Sequence, residues 1–254
     1  MNRVEVVGVT HRGRVRPANE DTIAVAGFLS AVPEGEPVRL TVSSTRPVTC
    51  LVADGLGGHA DGARASRLAA QVIVDASPTF ADSAAIVAAV HRADADLYAD
   101  TDLHAGSGQP PSPGAMGTTV VLLTVSGENA TCVNVGDSRC YLLRDGLLVQ
   151  LSQDDSPPPS VPGPAVRTGR VTQTLGGRLT RVPIHPHVQR LATVAGDRFL
   201  LCSDGLTDYL PLDDVETCLT GGGRPDDVVR DLLRRTLDAG GGDNVSALLV
   251  TILE

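Results

Sequence analysis

At 254 residues with 42% hydrophobic content, the chain is long enough to bury a sizeable core, and disorder is excluded as its default state. A formal net charge of -9 and only 2% aromatic residues exclude a general nucleic-acid or anionic-membrane binder, and also the stacking platforms that hold single strands. All 21 basic residues are Arg, which removes Schiff-base, P-loop and kinase-type lysine chemistry and leaves phosphate recognition to the planar arginine fork.

In chain order, Glu5–Val9 and Thr22–Phe28 read as paired strands. The polar stretch Ser30–Pro47 reads as a hairpin with a long tip, and Thr49–Ala53 is a β-prone run ending at Asp54. Ala65, Leu68, Ala69, Val72, Ile73 and Ala76 recur at helical spacing, as do Ile86, Val90, Ala93 and Leu97. Both segments have Ala-rich interiors, which favour helix. Thr118–Val125, Ala130–Val135 and Arg139–Leu143 are strand-like, and Asp145-Gly146 predicts a type I′ hairpin turn. Arg198–Cys202 reads as a strand, Pro225–Asp238 as a helix and Val245–Leu253 as a final strand. His104–Ala115 and the Pro-rich Ser156–Pro164 read as loops. Strands and helices alternating in blocks predict an α+β fold, with antiparallel sheets and helices packed outside them.

Cys50, Cys132, Cys140, Cys202 and Cys218 form an odd set without a CxxC. That usage predicts free thiols in a reducing compartment. With no signal-peptide core at the start and no apolar run of about 18 residues, the expected location is cytoplasmic, with no membrane partner. His185 and His187 alternate and are expected to share one strand face at the surface.

Four acidic signatures carry the chemistry: Arg16-Pro17-Ala18-Asn19-Glu20-Asp21, Ala53-Asp54-Gly55-Leu56-Gly57-Gly58, Ser203-Asp204-Gly205 and Asp243-Asn244. Each acid lies at the end of an apolar run or just before one, so carboxylates distant in sequence can converge. Converging like charges raise one another's pKa, and a hard divalent cation with oxygen ligands relieves the conflict. The expected centre is of the Mg or Mn kind.

With Gly117-Thr118-Thr119 and Val135-Gly136-Asp137-Ser138-Arg139 added, these signatures resemble the metal-dependent serine/threonine protein phosphatases of type 2C, the PPM family, in its bacterial single-domain branch. The resemblance spans nearly the whole chain and implies one type 2C domain over 1–254. It also implies a four-layer αββα sandwich with two mainly antiparallel central sheets. The implied activity is hydrolysis of phosphoserine and phosphothreonine by a metal-activated water at a binuclear Mn or Mg centre. Asp54 would bridge two ions, and the Gly55 carbonyl would join the first ion's shell. Glu20, Asp204 and Asp243 would hold the second ion, with Asp21 acting behind them or through water. Arg16 would grip the phosphate. Asp137 with Asp204 would form a weaker third ion site. The implied partners are phosphorylated Ser/Thr proteins, targets of a Ser/Thr protein kinase.

Two other readings use the same residues: a pseudophosphatase that binds a phosphoprotein without turnover, and a hydrolase of small phosphate esters. Two positions and one segment depart from the family pattern. Leu56 stands where eukaryotic relatives carry a His proposed as general acid, and His59 does not match that position. Asp155 stands where the Leu-Thr-x-Asp-His-Ser pattern expects His. The flap that follows is short and Pro-rich, so Asp155–Arg170 is expected to be loosely packed.

Overall fold

The computed structural model describes residues 3–29, 34–57, 60–105, 116–157 and 170–253, with the side chains of 60 and 102–105 set aside. Two antiparallel sheets lie face to face. The first runs β10 (Leu147–Gln150), β9 (Arg139–Arg144), β13 (Arg198–Cys202), β14 (Val245–Leu253), β1 (Arg3–His11), β4 (Val38–Ser43). The second runs β11 (Leu175–Gly176), β6 (Gly117–Thr118), β5 (Val48–Leu56), β7 (Val120–Ser126), β8 (Asn129–Val135), β12 (His187–Ala192). The strand β2 (Asp21–Val25) adds to this second sheet beside β5, and β3 (Phe28–Leu29) pairs with β2.

Period-two alternation builds three apolar layers from these strands. Along β5, Cys50 and Val52 face the core between the sheets, while Leu51 and Ala53 face α1 (Ala60–Ala76) and α2 (Ser83–Ala105). Along β14, Leu248, Val250 and Ile252 face the intersheet core. Its other face, Val245, Ala247 and Leu249, packs with α3 (Asp204–Thr207), α4 (Leu212–Thr220) and α5 (Pro225–Asp238). The result is the expected helix–sheet–sheet–helix stack. On α2, Ile86, Val90, Ala93 and Leu97 form the buried stripe read from their spacing. No helix among the described residues is long and apolar enough to cross a membrane.

Several local expectations are corrected. β1 and β2 are not partners: β1 pairs with β14 and β4, and β2 with β5 and β3, so the 12–20 loop carries the chain from one sheet to the other. Ser30–Pro47 contains β4, an edge strand with residues of β-branched and polar character, rather than a bare hairpin tip. Thr22–Phe28 is broken by a turn at Ala26 (φ 48°) and Gly27 (φ 95°). Thr119 interrupts the expected Thr118–Val125 strand, because its N–H turns to the Asp54 carbonyl at 2.9 Å. His185 precedes β12 instead of sharing its face with His187. The Asp145-Gly146 turn holds, with φ of 53° and 78°.

The loosely packed stretch expected over Asp155–Arg170 falls mostly on 158–169, outside the described residues. At its start the expectation fails, because Asp155 donates its N–H to Gly136 O at 3.0 Å and accepts from Thr172 N–H at 2.7 Å. The segment 106–115 and the residues Gly58 and His59 also lie outside the described set.

At the end of the stack where the acids sit, the connections pack closely. Gly205, the second residue of α3, lies against the backbone before β14: a Cβ on it would fall 1.9 Å from Asn244 O. Gly205→Ala is therefore expected to cost about 1–3 kcal/mol through overpacking, seen as a lower urea midpoint at unchanged m value.

Candidate active site

Asp21 opens β2 and faces Asp54 across the β2–β5 ladder, where the two are register partners. Asp204 opens α3 just after β13, Asp243 lies two residues before β14, and Asp137 lies in the turn from β8 to β9. Glu20 directly precedes β2. Six acids from five connections thus gather at one end of the two sheets.

A polar scaffold fixes them. Asn244 Oδ1 accepts the Glu20 N–H at 2.9 Å, while its Nδ2 donates to Arg12 O at 3.0 Å and to Ala18 O at 2.9 Å. One side chain therefore ties both ends of the loop that carries Arg16. Ser66 of α1 donates to Glu20 O at 2.6 Å. Ser203 Oγ donates to Asp21 Oδ2 at 2.8 Å and accepts the Ser246 N–H at 3.0 Å. The Asp54 backbone is clamped by Thr118 and Thr119: Thr118 Oγ1 donates to Asp54 O at 2.8 Å, and the Asp54 N–H reaches Thr119 Oγ1 at 3.2 Å. The hydroxyls of these two threonines hold the backbone of the central acid.

Glycines allow the close approach of Gly55, Glu20 and α1. A Cβ on Gly55 would lie 2.1 Å from Gly62 O and 2.7 Å from Glu20 O, and one on Gly62 would lie 1.9 Å from Glu20 Oε2. Sequence reading missed Asn244, Ser66, Ser203 and Gly62 as parts of the site. Asn244 and Ser203 adjoin acids in the motifs, which was their signal; Ser66 and Gly62 carry none, since they look like ordinary residues of a helix.

Burial first, and then the neighbouring carboxylates Asp21, Asp204, Asp243 and Asp137, push the Asp54 pKa well up. Burial likewise pushes Asp21 up to about 7, against hydrogen bonds from Ser246 and Ser203, with Asp204 and Asp243 adding to the rise. Asp137 rises to about 7 by burial and then by Asp204. These carboxylates feel one another electrically, and Asp21 Oδ1 is buried without a hydrogen-bond partner. Arg16, half exposed, meets Asp243 through Nη2–Oδ2 at 2.7 Å.

An all-oxygen set with a buried orphan oxygen fits a hard divalent cation. As the side chains stand, however, no three His, Cys, Asp or Glu groups among the described residues close into a metal cage.

The protein phosphatase 2C family model matches residues 38–254. The chain belongs to the protein phosphatase 2C family. It is 31% identical over 268 residues to the serine/threonine protein phosphatase PstP of Mycobacterium tuberculosis, covering 96% of this chain and 44% of that protein, so it spans less than half of that relative's length. It is 28% identical over 266 residues to the serine/threonine phosphatase stp of Listeria monocytogenes, covering 95% of this chain and 93% of that one. Among solved structures, the catalytic domain of PstP in complex with two manganese ions superposes with a TM-score of 0.75 at 28% identity, over 100% of both chains. The S. agalactiae serine/threonine phosphatase gives a TM-score of 0.77 at 25% identity, over 99% of this chain and 100% of that one. The Arg16–Asp21 signature lies upstream of the family-model match.

The raised carboxylate pKa values set a sign for stability. Between the unfolded carboxylate pKa, about 4, and about 7, the folded protein holds more protons than the unfolded chain, so stability falls as pH rises. Protein stripped with a chelator is expected to melt at a lower temperature at pH 8 than at pH 5. Mn²⁺ is expected to restore the loss at pH 8, where the carboxylates are free to bind it. A melting temperature of the stripped protein that rises from pH 5 to pH 8 would contradict the assignment.

Proposed function

We propose that this chain is a Mg- or Mn-dependent phosphoprotein phosphatase that removes phosphate from phosphoserine and phosphothreonine. The supporting observation is the gathering of Asp21, Asp54, Asp137, Asp204 and Asp243 into mutual electrostatic contact, with the Arg16 guanidinium at its edge. We read 1–254 as one type 2C domain, because strands from both halves of the chain build the intersheet core. Its substrates in the cell are read as the targets of a Ser/Thr protein kinase.

The residues divide the work by chemistry. Asp54 and the Gly55 carbonyl would hold the first ion, with Asp54 shared with a second ion held by Glu20, Asp204 and Asp243. Asp21 would orient this set from behind, and Asp137 with Asp204 would take a weaker third ion. Two such cations, when bound, supply a water of lowered pKa as nucleophile and neutralise phosphate oxygens. Arg16 presents a planar fork suited to two phosphate oxygens, and its exposure leaves it reachable from solvent. Ser203 Oγ, the hydroxyl bonded to Asp21, is held between that carboxylate and the Ser246 N–H, which suits it to orienting the acid. The scaffold's task is position and charge rather than covalent chemistry.

Release of phosphate from a phosphothreonine peptide and from an aryl phosphate, each with and without Mn²⁺, tests the reading. Mn-dependent turnover of the peptide supports it. Binding of the peptide without turnover would establish the pseudophosphatase instead, and turnover of the aryl phosphate alone would establish the small-ester hydrolase.

Asp54→Asn is expected to lower kcat by at least about a hundredfold with the fold intact, since it removes the shared ligand. Wild-type turnover at saturating Mn²⁺ would remove Asp54 from that role. Arg16→Ala is expected to raise KM for the peptide about tenfold or more, and Arg16→Lys to recover only part, because a point charge cannot reproduce the bidentate fork. Calorimetry showing lost Mn²⁺ binding at unchanged KM would give Arg16 another task.

A further inference from the structure

Asp155, one of the residues that depart from the family pattern, is among the most heavily bonded carboxylates of the described residues. Its Oδ2 accepts the Gly136 N–H at 2.9 Å and the Gln173 side-chain amide at 2.8 Å. Its Oδ1 lies 2.9 Å from His187 Nε2, at the first residue of β12. Its backbone meets Gly136 O and Thr172 N–H. Only 13% of the Asp155 side chain is exposed, against 27% of His187.

Gly136 is the residue before Asp137. It sits at φ 101°, and a Cβ there would lie 2.6 Å from Thr119 Cβ. The turn is therefore pressed from one side by Thr119, which also shares a hydroxyl hydrogen bond with Ser138 at 2.7 Å. From the other side both polar groups of the Gly136 backbone are taken by Asp155. Asn134 and Gln153 bond each other reciprocally beside it, at 2.7 and 3.1 Å. Gln173 is itself fixed by His185, whose N–H it accepts at 2.5 Å.

The chemistry of position 155 accounts for its neighbours. A carboxylate is acceptor-only and can take three donors at once, whereas a neutral His can accept only one. With Asp at 155, donors are needed at 173 and 187, and Gln173 and His187 supply them. The acid and the imidazole thus form a pair in which the flap side brings the acid and β12 brings the ring.

We propose that Asp155 is a positioning residue for Asp137: held by Gln173 and His187, its carboxylate fixes the Gly136 backbone and so the direction in which Asp137 presents its own carboxylate. This rests on the reading of Asp137 as a ligand of the weaker ion. Outer partners of this kind are typically worth about 10–100-fold in metal affinity.

The test measures the Gly136 amide by hydrogen exchange on labelled protein, and Mn²⁺ binding by calorimetry. In Asp155→Ala the Gly136 amide is expected to exchange at least about tenfold faster, while amides of the intersheet core keep their protection. The weakest-bound Mn²⁺ is expected to lose about tenfold in affinity, with the tighter ions unchanged. Adding Asp155→Ala to Asp137→Asn is expected to cost nothing more at that ion, because the two act as one unit. The exchange Asp155→His with His187→Asp is expected to recover only part of the amide protection and the Mn²⁺ affinity, because a neutral His at 155 accepts one donor where the carboxylate accepts three. Should Asp155→Ala fail to fold, His187→Ala, which removes one donor of three, gives the same readouts at smaller size.

An unchanged Gly136 amide, or unchanged affinity of every ion in the Asp155 variants, overturns the proposal. Additive losses in the double variant overturn it as well, since a general structural role would produce them. If Asp137→Asn leaves every ion's affinity intact, the ligand reading of Asp137 fails and the positioning role falls with it. In that case the Gly136 amide separately records whether Asp155 holds the turn.

Discussion

Collecting carboxylates in a dry corner is costly, and much of this architecture follows from arranging it. Each buried acid loses hydration, and each neighbouring acid adds repulsion, so an isolated loop could not hold them together. Two stacked sheets can, because strand ends are rigid and their side-chain directions are set by the ladder. Asp21 and Asp54 are locked opposite each other by backbone pairing, and no rearrangement of rotamers can separate their Cα atoms. The protein thereby stores an unfavourable electrostatic arrangement in a framework whose stability comes from elsewhere, in three apolar layers. That is the usual relation between a functional site and the fold that carries it.

The same reasoning explains the unglamorous residues around the acids. Hydroxyls and amides serve here where a charged partner would compete for the carboxylates. Ser203, Ser66, Thr118, Thr119 and Asn244 satisfy backbone groups or a single carboxylate oxygen without bringing a cation into the centre. Arginine ion pairs are placed elsewhere, as with Arg139 on Asp154 and Arg144 on Asp197. Arg16 pairs with Asp243 at the exposed edge, where a substrate anion would arrive.

Much of this was legible in the sequence, and the exceptions have physical causes. Helical periodicity identified α1 and α2 because Ala-rich amphipathic segments carry both pattern and propensity. The Asp145-Gly146 turn was legible because few residue pairs tolerate positive φ twice. β4 and β12 were obscured because edge strands mix polar and apolar residues: Val38–Ser43 and His187–Ala192 are largely exposed. α4 was missed because nine residues headed by Pro211 offer too few turns for a period to emerge. Which sheet received β1 and which β2 could not be read, since both are buried on both faces. The acids of the site stood out by motif, whereas the link between Asp155 and His187 required the fold, because nothing in the spacing of 155 and 187 brings them together.

The placement of β14 bears on how the molecule comes to exist. It lies between β13 and β1, with Arg3 opposite Leu253 and His11 opposite Val245. β1 therefore waits for a strand more than 230 residues later in the chain before its sheet can close, and Asp243 reaches Glu20, Asp21 and Asp54 only then. A nascent chain lacking β14 presents two unpaired strand edges and an open apolar face, the kind of surface on which intermediates aggregate. Non-local pairing of this kind also slows folding. Assembly of the acidic centre thus waits for β14: a chain in which that strand has not yet been made cannot gather the full set of carboxylates, however well its earlier strands have formed.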